Sequence, residues 1–253
     1  MRLVRFRLGD RIATGVLEGE AVRVLRGTFF EDPVPSGEEV RLADVRLLAP
    51  VIPSKVIGVA RNYPAHAEEL GNPLPAEPML FLKPATSVIG PGDPIPLPRG
   101  SERVDHEAEL GAVIGRPCRR VPVEEADRYI LGYTCVNDVT ARDWQSSDGQ
   151  WTRAKGSDGF CPVGPWIETE VDPSDLQVTA RVNGGVRQSG RTSDMVFRPA
   201  ELIAYAARTI TLLPGDVVCT GTPPGVGPMK PGDRVEVQVE GVGVLGNPVA
   251  EGG

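Results

Sequence analysis

Glycine and proline interrupt this chain so often that no long helix fits between them. There are 30 glycines and 25 prolines among 253 residues. Proline removes a backbone donor and glycine favours turns, so the segments between them are mostly of strand length. The interruptions have no fixed period and are interleaved with apolar runs such as "KVIGVA" and "MLFLKP". That pattern argues against both a fibrous and a disordered chain. Hydrophobic residues make up 40% of the total, enough for a sizeable core.

The runs divide the chain into two parts. In residues 1–52, "RLVRFRL", "RIATGVL" and "AVRVLRG" alternate with a period of two, separated by turns at Gly9-Asp10 and Gly19-Glu20. This predicts a small N-terminal antiparallel β domain. Pro50 and Pro53 mark its end, and residues 53–253 form the larger second domain. There, Pro64 opens and Gly71 closes a helix of about two turns. A second helix, in "PVEEADRYILGYTCVND", runs into a strand. Asn183-Gly184 centres a hairpin, and Pro199 opens a third helix. The fold class expected is α+β, mainly β.

Several function classes are set aside by charge and hydropathy. The formal net charge is −7, so no basic face is expected for nucleic acid or a membrane surface. No apolar run approaches the ~18 residues of a membrane span. The N-terminus alternates like a strand and has no apolar signal core, so it reads as mature sequence. Cys118, Cys135, Cys161 and Cys219 contain no CxxC pair, which predicts buried free thiols in a reducing cytoplasm. Only four of the 27 basic residues are lysines: Lys55, Lys83, Lys155 and Lys230. In a chain so rich in arginine, a retained lysine points to a need for a compact ammonium.

The chemistry centres on "VDHEAELGAVIG", residues 104–115. Glu107 and Glu109 are two apart in an apolar strand and therefore share a face. Such a pair is most simply salt-bridged at a solvated surface. Buried, it is tolerable with a bound cation, and a hard divalent ion takes such oxygen ligands. Asp138, at the end of an apolar strand in "GYTCVNDVTARD", is the best third ligand, although alone it reads as an Asx turn. His66 and Glu69 share a helical face, where a carboxylate would orient and strengthen an imidazole base. A surface pair is the simpler alternative. His106 is assigned to structure. Lys155 falls in a glycine-rich loop, and Lys83 precedes Pro84. "CTGTPPGVG" lacks a nucleotide-loop spacing, yet offers backbone N–H groups and the Thr222 hydroxyl to an anion.

The order "RNYPAHAEELG", "FLKP", "DHEAELGAVIG", "GYTCVNDVTARD", "KGSDGFCPVGP" and "GTPPGVG" resembles the fumarylacetoacetate hydrolase family across residues 55 to about 250. With the leading small domain, it is most similar to the bacterial 2-hydroxyhepta-2,4-diene-1,7-dioate isomerase and 5-oxopent-3-ene-1,2,5-tricarboxylate decarboxylase type. The resemblance implies a mixed β-roll with short helices, and a cytoplasmic homodimer. It implies Mg²⁺ or Mn²⁺ held by Glu107, Glu109 and Asp138. His66, Glu69 and Lys155 would be catalytic, the first two on a lid helix. Arg61, Lys83, Asp158 and Thr222 would contact a small 2-oxo acid substrate. The implied activity is isomerisation, with decarboxylation, of unsaturated 2-oxo dicarboxylates in aromatic-compound catabolism. An acylpyruvate- or fumarylpyruvate-type hydrolase and an oxaloacetate decarboxylase are the alternatives.

Overall fold

A computed structural model describes residues 1–31 and 33–252. Strands dominate, and the longest helix among the described residues, Pro199–Ala207, has nine residues. The fold is thus α+β and mainly β. No helix among the described residues is long and apolar enough to cross a membrane.

The central sheet has 12 strands, and Ala108–Ile114 lies deep inside it. All seven residues of that strand are buried. It pairs antiparallel with Ile130–Asn137 on one side and Val217–Cys219 on the other. Val217–Cys219 then pairs parallel with Lys55–Ala60, so the sheet is mixed. Beyond Lys55–Ala60, Met79–Pro84 forms one edge. At the other end, Cys161–Glu168 is followed by the N-terminal strands. Arg2–Leu8 pairs with it, Leu3 opposite Ile167, and the meander continues through Arg11–Glu18, Ala21–Arg26 and Val34–Arg41. The two-residue loops at Gly9-Asp10 and Gly19-Glu20 fall where the turn residues predict.

A five-stranded sheet contains the hairpin around Asn183-Gly184 and packs on the central one. Leu110, Ala112 and Ile114 meet Val178, Ala180, Val237, Val239 and Leu245 there, together with Leu202, Ile203 and Ala206 of the Pro199–Ala207 helix. On the opposite face, Val113, Val136, Val163 and Val217 pack with Leu3, Val16, Leu25 and Phe29 of the N-terminal strands. Being covered on both faces, Ala108–Ile114 is apolar along nearly its whole length, as such strands are. Its one charge, Glu109, therefore requires a specific reason.

The short helices match the proline and glycine signals. Pro64–Glu69 begins at its proline, and Gly71 takes φ +65 just beyond its end. Two helices, Arg142–Ser147 and Thr152–Gly156, were not expected. At six and five residues they are too short to leave a periodic apolar stripe. Lys155, expected in a loop, therefore sits on a helix. All four cysteines are buried and free.

Candidate metal and active site

The carboxylates meet because of strand register. Ala108 pairs with Asn137. This sets Glu107 beside Asp138, whose N–H donates to the Glu107 carbonyl at 2.9 Å. The Asn137 side chain in turn accepts from the Glu107 N–H at 2.9 Å. Glu109 lies one pleat further along the same face. Carboxylate oxygens of Glu107, Glu109 and Asp138 all lie within 4.8 Å of one another, and all three residues are buried.

Cations surround this triad. Lys155 Nζ donates to Glu107 Oε2 and Asp138 Oδ2, both at 2.7 Å. Lys83 Nζ donates to Asp138 Oδ1 from behind. Arg142 donates to Glu107 Oε1 at 2.5 Å and to Asp105 Oδ2 at 2.9 Å, and Arg103 forks onto Asp105. Two of the retained lysines are thus compact bridges inside the site. A third, Lys55, pairs with buried Asp216.

The titration of the triad follows from these partners. Burial alone would raise the Glu107 carboxyl, yet Lys155 and Arg142 hold it well below the usual carboxylate range. Burial likewise disfavours the charged Lys155, but Asp138 and Glu107 outweigh it and keep the ammonium protonated. Among the described residues, none forms a salt bridge with Glu109. Its hydrogen-bond partner is the Gly221 N–H at 2.8 Å. Burial, then Asp138, then Glu107 push its carboxyl well above the ordinary value. Hard oxygen donors, close together and under-compensated at Glu109, suit a divalent cation such as Mg²⁺ or Mn²⁺. Each oxygen keeps a second lone pair beyond its hydrogen bond. The residues present therefore fit such an ion.

A cavity of about 440 Å³ opens on this wall, lined among others by Arg61, His66, Arg103, Glu107, Glu109, Arg142, Gln145, Lys155 and Thr222. His66 Nδ1 lies 3.1 Å from Glu69 Oε2, and Glu69 Oε1 accepts from the Gly225 N–H at 3.0 Å. Glu69 thus orients the imidazole and ties the short helix to the 220–226 loop. Glycine is required twice in that loop. Gly221 has φ +92, and at Gly225, with φ +98, a Cβ would lie 2.2 Å from the Arg187 carbonyl.

Two other expected contacts, Lys83 and Asp158, fall elsewhere. Lys83 is fully buried behind Asp138 and does not line the cavity. Its role is to hold a carboxylate, because its ammonium reaches Asp138 from the edge strand Met79–Pro84. Asp158 is exposed beyond the end of the Thr152–Gly156 helix and does not line the cavity. From the Thr152–Gly156 helix, Lys155 is the residue that lines the cavity. The Thr222 hydroxyl donates to the Ala108 carbonyl at 2.8 Å, which commits its proton within the protein. Sequence reading missed Arg142, Gln145 and Arg103. Arg142 lies in the same "NDVTARD" segment as Asp138, and one more turn brings Gln145 alongside, where Arg142 Nη1 donates to its Oε1 at 2.9 Å.

Residues 55–250 match the fumarylacetoacetate (FAA) hydrolase C-terminal family, and residues 1–50 match the Rv2993c-like N-terminal family. Among solved structures, the 2-hydroxyhepta-2,4-diene-1,7-dioate isomerase from Mycobacterium marinum is similar with a TM-score of 0.94 and 48% identity, covering 100% of this chain and 99% of that one. The maleylpyruvate hydrolase from Sphingobium, solved with manganese(II) and pyruvate, is similar with a TM-score of 0.83 and 34% identity over 100% of both chains. The human mitochondrial oxaloacetate tautomerase FAHD2A is 43% identical over 220 residues, 82% of this chain and 70% of that protein.

Proposed function

The chain belongs to the fumarylacetoacetate hydrolase family of enzymes, and from that premise we propose a divalent-metal-dependent isomerase of unsaturated 2-oxo (2-hydroxydienoic) dicarboxylates. 2-Hydroxyhepta-2,4-diene-1,7-dioate is the model substrate, the pathway class is aromatic-compound breakdown, and decarboxylation is a companion reaction of the same enolate. We place the enzyme in the cytoplasm as a homodimer.

The observation that carries this reading is the buried Glu107–Glu109–Asp138 triad, of which Glu107 and Glu109 line a cavity shared with His66 and three arginines. Glu107, Glu109 and Asp138 would hold Mg²⁺ or Mn²⁺, which would supply positive charge to stabilise the enolate of a 2-oxo acid. Lys83, Lys155, Arg103 and Arg142 pair with Asp105, Glu107 and Asp138, and Arg61 adds a further positive charge to the cavity wall. With a dication at the carboxylates, such a site favours an anionic substrate such as a dicarboxylate.

His66 moves the proton. Glu69 takes its Nδ1–H, which leaves the Nε2 lone pair to accept a proton from substrate carbon and return it at another position. Lys155 acts as a fixed charge, since Glu107 and Asp138 keep it protonated.

A second reading is favoured by the human relative. Keto–enol interconversion of oxaloacetate, the activity in that protein's name, needs the same enolate and one proton carrier. Product NMR with a hydroxydienedioate, oxaloacetate and an acylpyruvate, each with Mg²⁺, tests both. Proton migration in the first without C–C cleavage supports the isomerase. Turnover of oxaloacetate alone supports the second reading. Cleavage of the acylpyruvate alone contradicts both.

A further inference from the structure

Gln188 is fully buried in Gly185–Arg191, a strand whose other side chains are exposed or half-buried. Its amide uses all of its hydrogen-bonding capacity. Oε1 accepts from the Ala108 N–H and from His106 Nδ1, both at 2.9 Å. Nε2 donates to Thr222 Oγ and to the Pro223 carbonyl, both at 2.7 Å. The backbone partners determine which end is which, because an N–H must meet the oxygen and a carbonyl must meet the amide nitrogen. It follows that His106 carries a proton on Nδ1, since Oε1 can only accept.

The partners matter by position. Ala108 separates Glu107 from Glu109. Thr222 follows Gly221, whose N–H holds Glu109, and it lines the cavity. Thr222 Oγ donates to the Ala108 carbonyl and accepts from Gln188, so its hydroxyl cannot turn freely. One side chain thus clamps the strand of the carboxylates to the adjoining loop, whose Thr222 lines the cavity. It reaches neither the carboxylates nor the cavity. A side chain needed only to fill space in that hairpin would be apolar.

We propose that Gln188 is a positioning residue for the reaction, holding Thr222 and the Glu107–Glu109 segment in fixed relation. This rests on the reading that the cavity is the reaction site. Its failure and the failure of that reading are separable.

Gln188→Glu is the sharper variant. It keeps an acceptor for Ala108 and His106 and removes the donors to Thr222 and Pro223. The Mn²⁺-loaded enzyme is expected to lose about 10- to 100-fold in kcat/KM on its best 2-oxo acid, the scale of a slightly misplaced group. Its Mn²⁺ affinity and Tm should stay near those of the parent. The double variant with Thr222→Val should be no worse than Thr222→Val alone, because the two act through one contact. Losses that multiply, or that follow a loss of Mn²⁺ affinity, overturn the proposal. Oxalate affinity of the Mn²⁺-loaded protein reads the same coupling without turnover. An inactive parent then sinks the functional reading while the coupling is still measured. Nitrogen-15 spectra of the two histidines provide a check in the metal-free protein. His106 should show a protonated Nδ1, and a bare Nδ1 with a protonated Nε2 contradicts the arrangement. Should Gln188→Glu not fold, Gln188→Met replaces it in every arm with the same expectations for activity and coupling.

Discussion

Lys155 shows how a single residue type can be diagnostic. Its ammonium sits between Glu107 and Asp138 at 2.7 Å from each, and it is 3% exposed. A guanidinium is larger and planar, so it cannot occupy that bridge without moving a carboxylate. Lys155→Arg is expected to lose ~10²-fold in kcat/KM although charge is kept. Steady-state kinetics check this, and near-normal turnover would reduce Lys155 to an ordinary ion pair. His66 carries a different expectation. His66→Ala should lower kcat by ~10²–10⁴, the usual worth of a positioned acid or base, with Mn²⁺ affinity kept. Glu69→Gln should cost less, because the carboxamide still ties the helix to its loop. Scarcity made the lysines legible in sequence, and spacing did the same for the glutamates. Gln188 left no such trace. A glutamine in a polar hairpin strand looks solvent-facing until the loop 34 residues later folds over it.

At the scale of elements, the strands were legible because prolines, glycines and period-two alternation mark their ends. The Asn183-Gly184 hairpin and the Pro64–Glu69 helix fall where turn and cap residues place them. The Arg142–Ser147 and Thr152–Gly156 helices were not legible, because at one to two turns they depend on packing and not on their own periodicity. Pro64–Glu69 is equally short, and tertiary anchors hold it in place. Buried His66 and Ala67 and the Glu69–Gly225 contact dock it over the cavity. Such an element should open locally at low cost. Amide hydrogen exchange of residues 64–70 should be fast in the free protein and slow markedly with Mn²⁺ and oxalate. Equal protection in both states would mean a fixed wall and no lid.

The whole molecule depends on its N-terminal strands more than their size suggests. Leu3, Val16, Leu25 and Phe29 belong to the same buried cluster as Val113 and Val136, on the strands that carry or adjoin Glu109 and Asp138. Each such side chain is worth about 1.5–3 kcal/mol when buried. Four of them compare with a typical total stability of about 5–15 kcal/mol. Removing residues 1–50 also bares an edge of Cys161–Glu168. We expect the truncated chain to aggregate or melt well below the full chain by thermal scan. An unchanged Tm would show that the two parts are energetically independent.

The central claim is that three buried carboxylates form a divalent-cation site, with Glu109 the least compensated of them. Glu109 is raised by burial and by its two acidic neighbours, so it holds a proton to higher pH than an ordinary carboxyl. A cation must displace that proton. Affinity therefore rises with pH and binding releases a proton. Calorimetric titration of Mn²⁺ into the parent and into Glu109→Gln, in buffers of different ionisation enthalpy, tests this directly. The account predicts one site per chain in the parent, proton release on binding, and affinity weakened at least ~10-fold in the variant, in line with loss of a charged ligand. Equal affinity in parent and variant would contradict it.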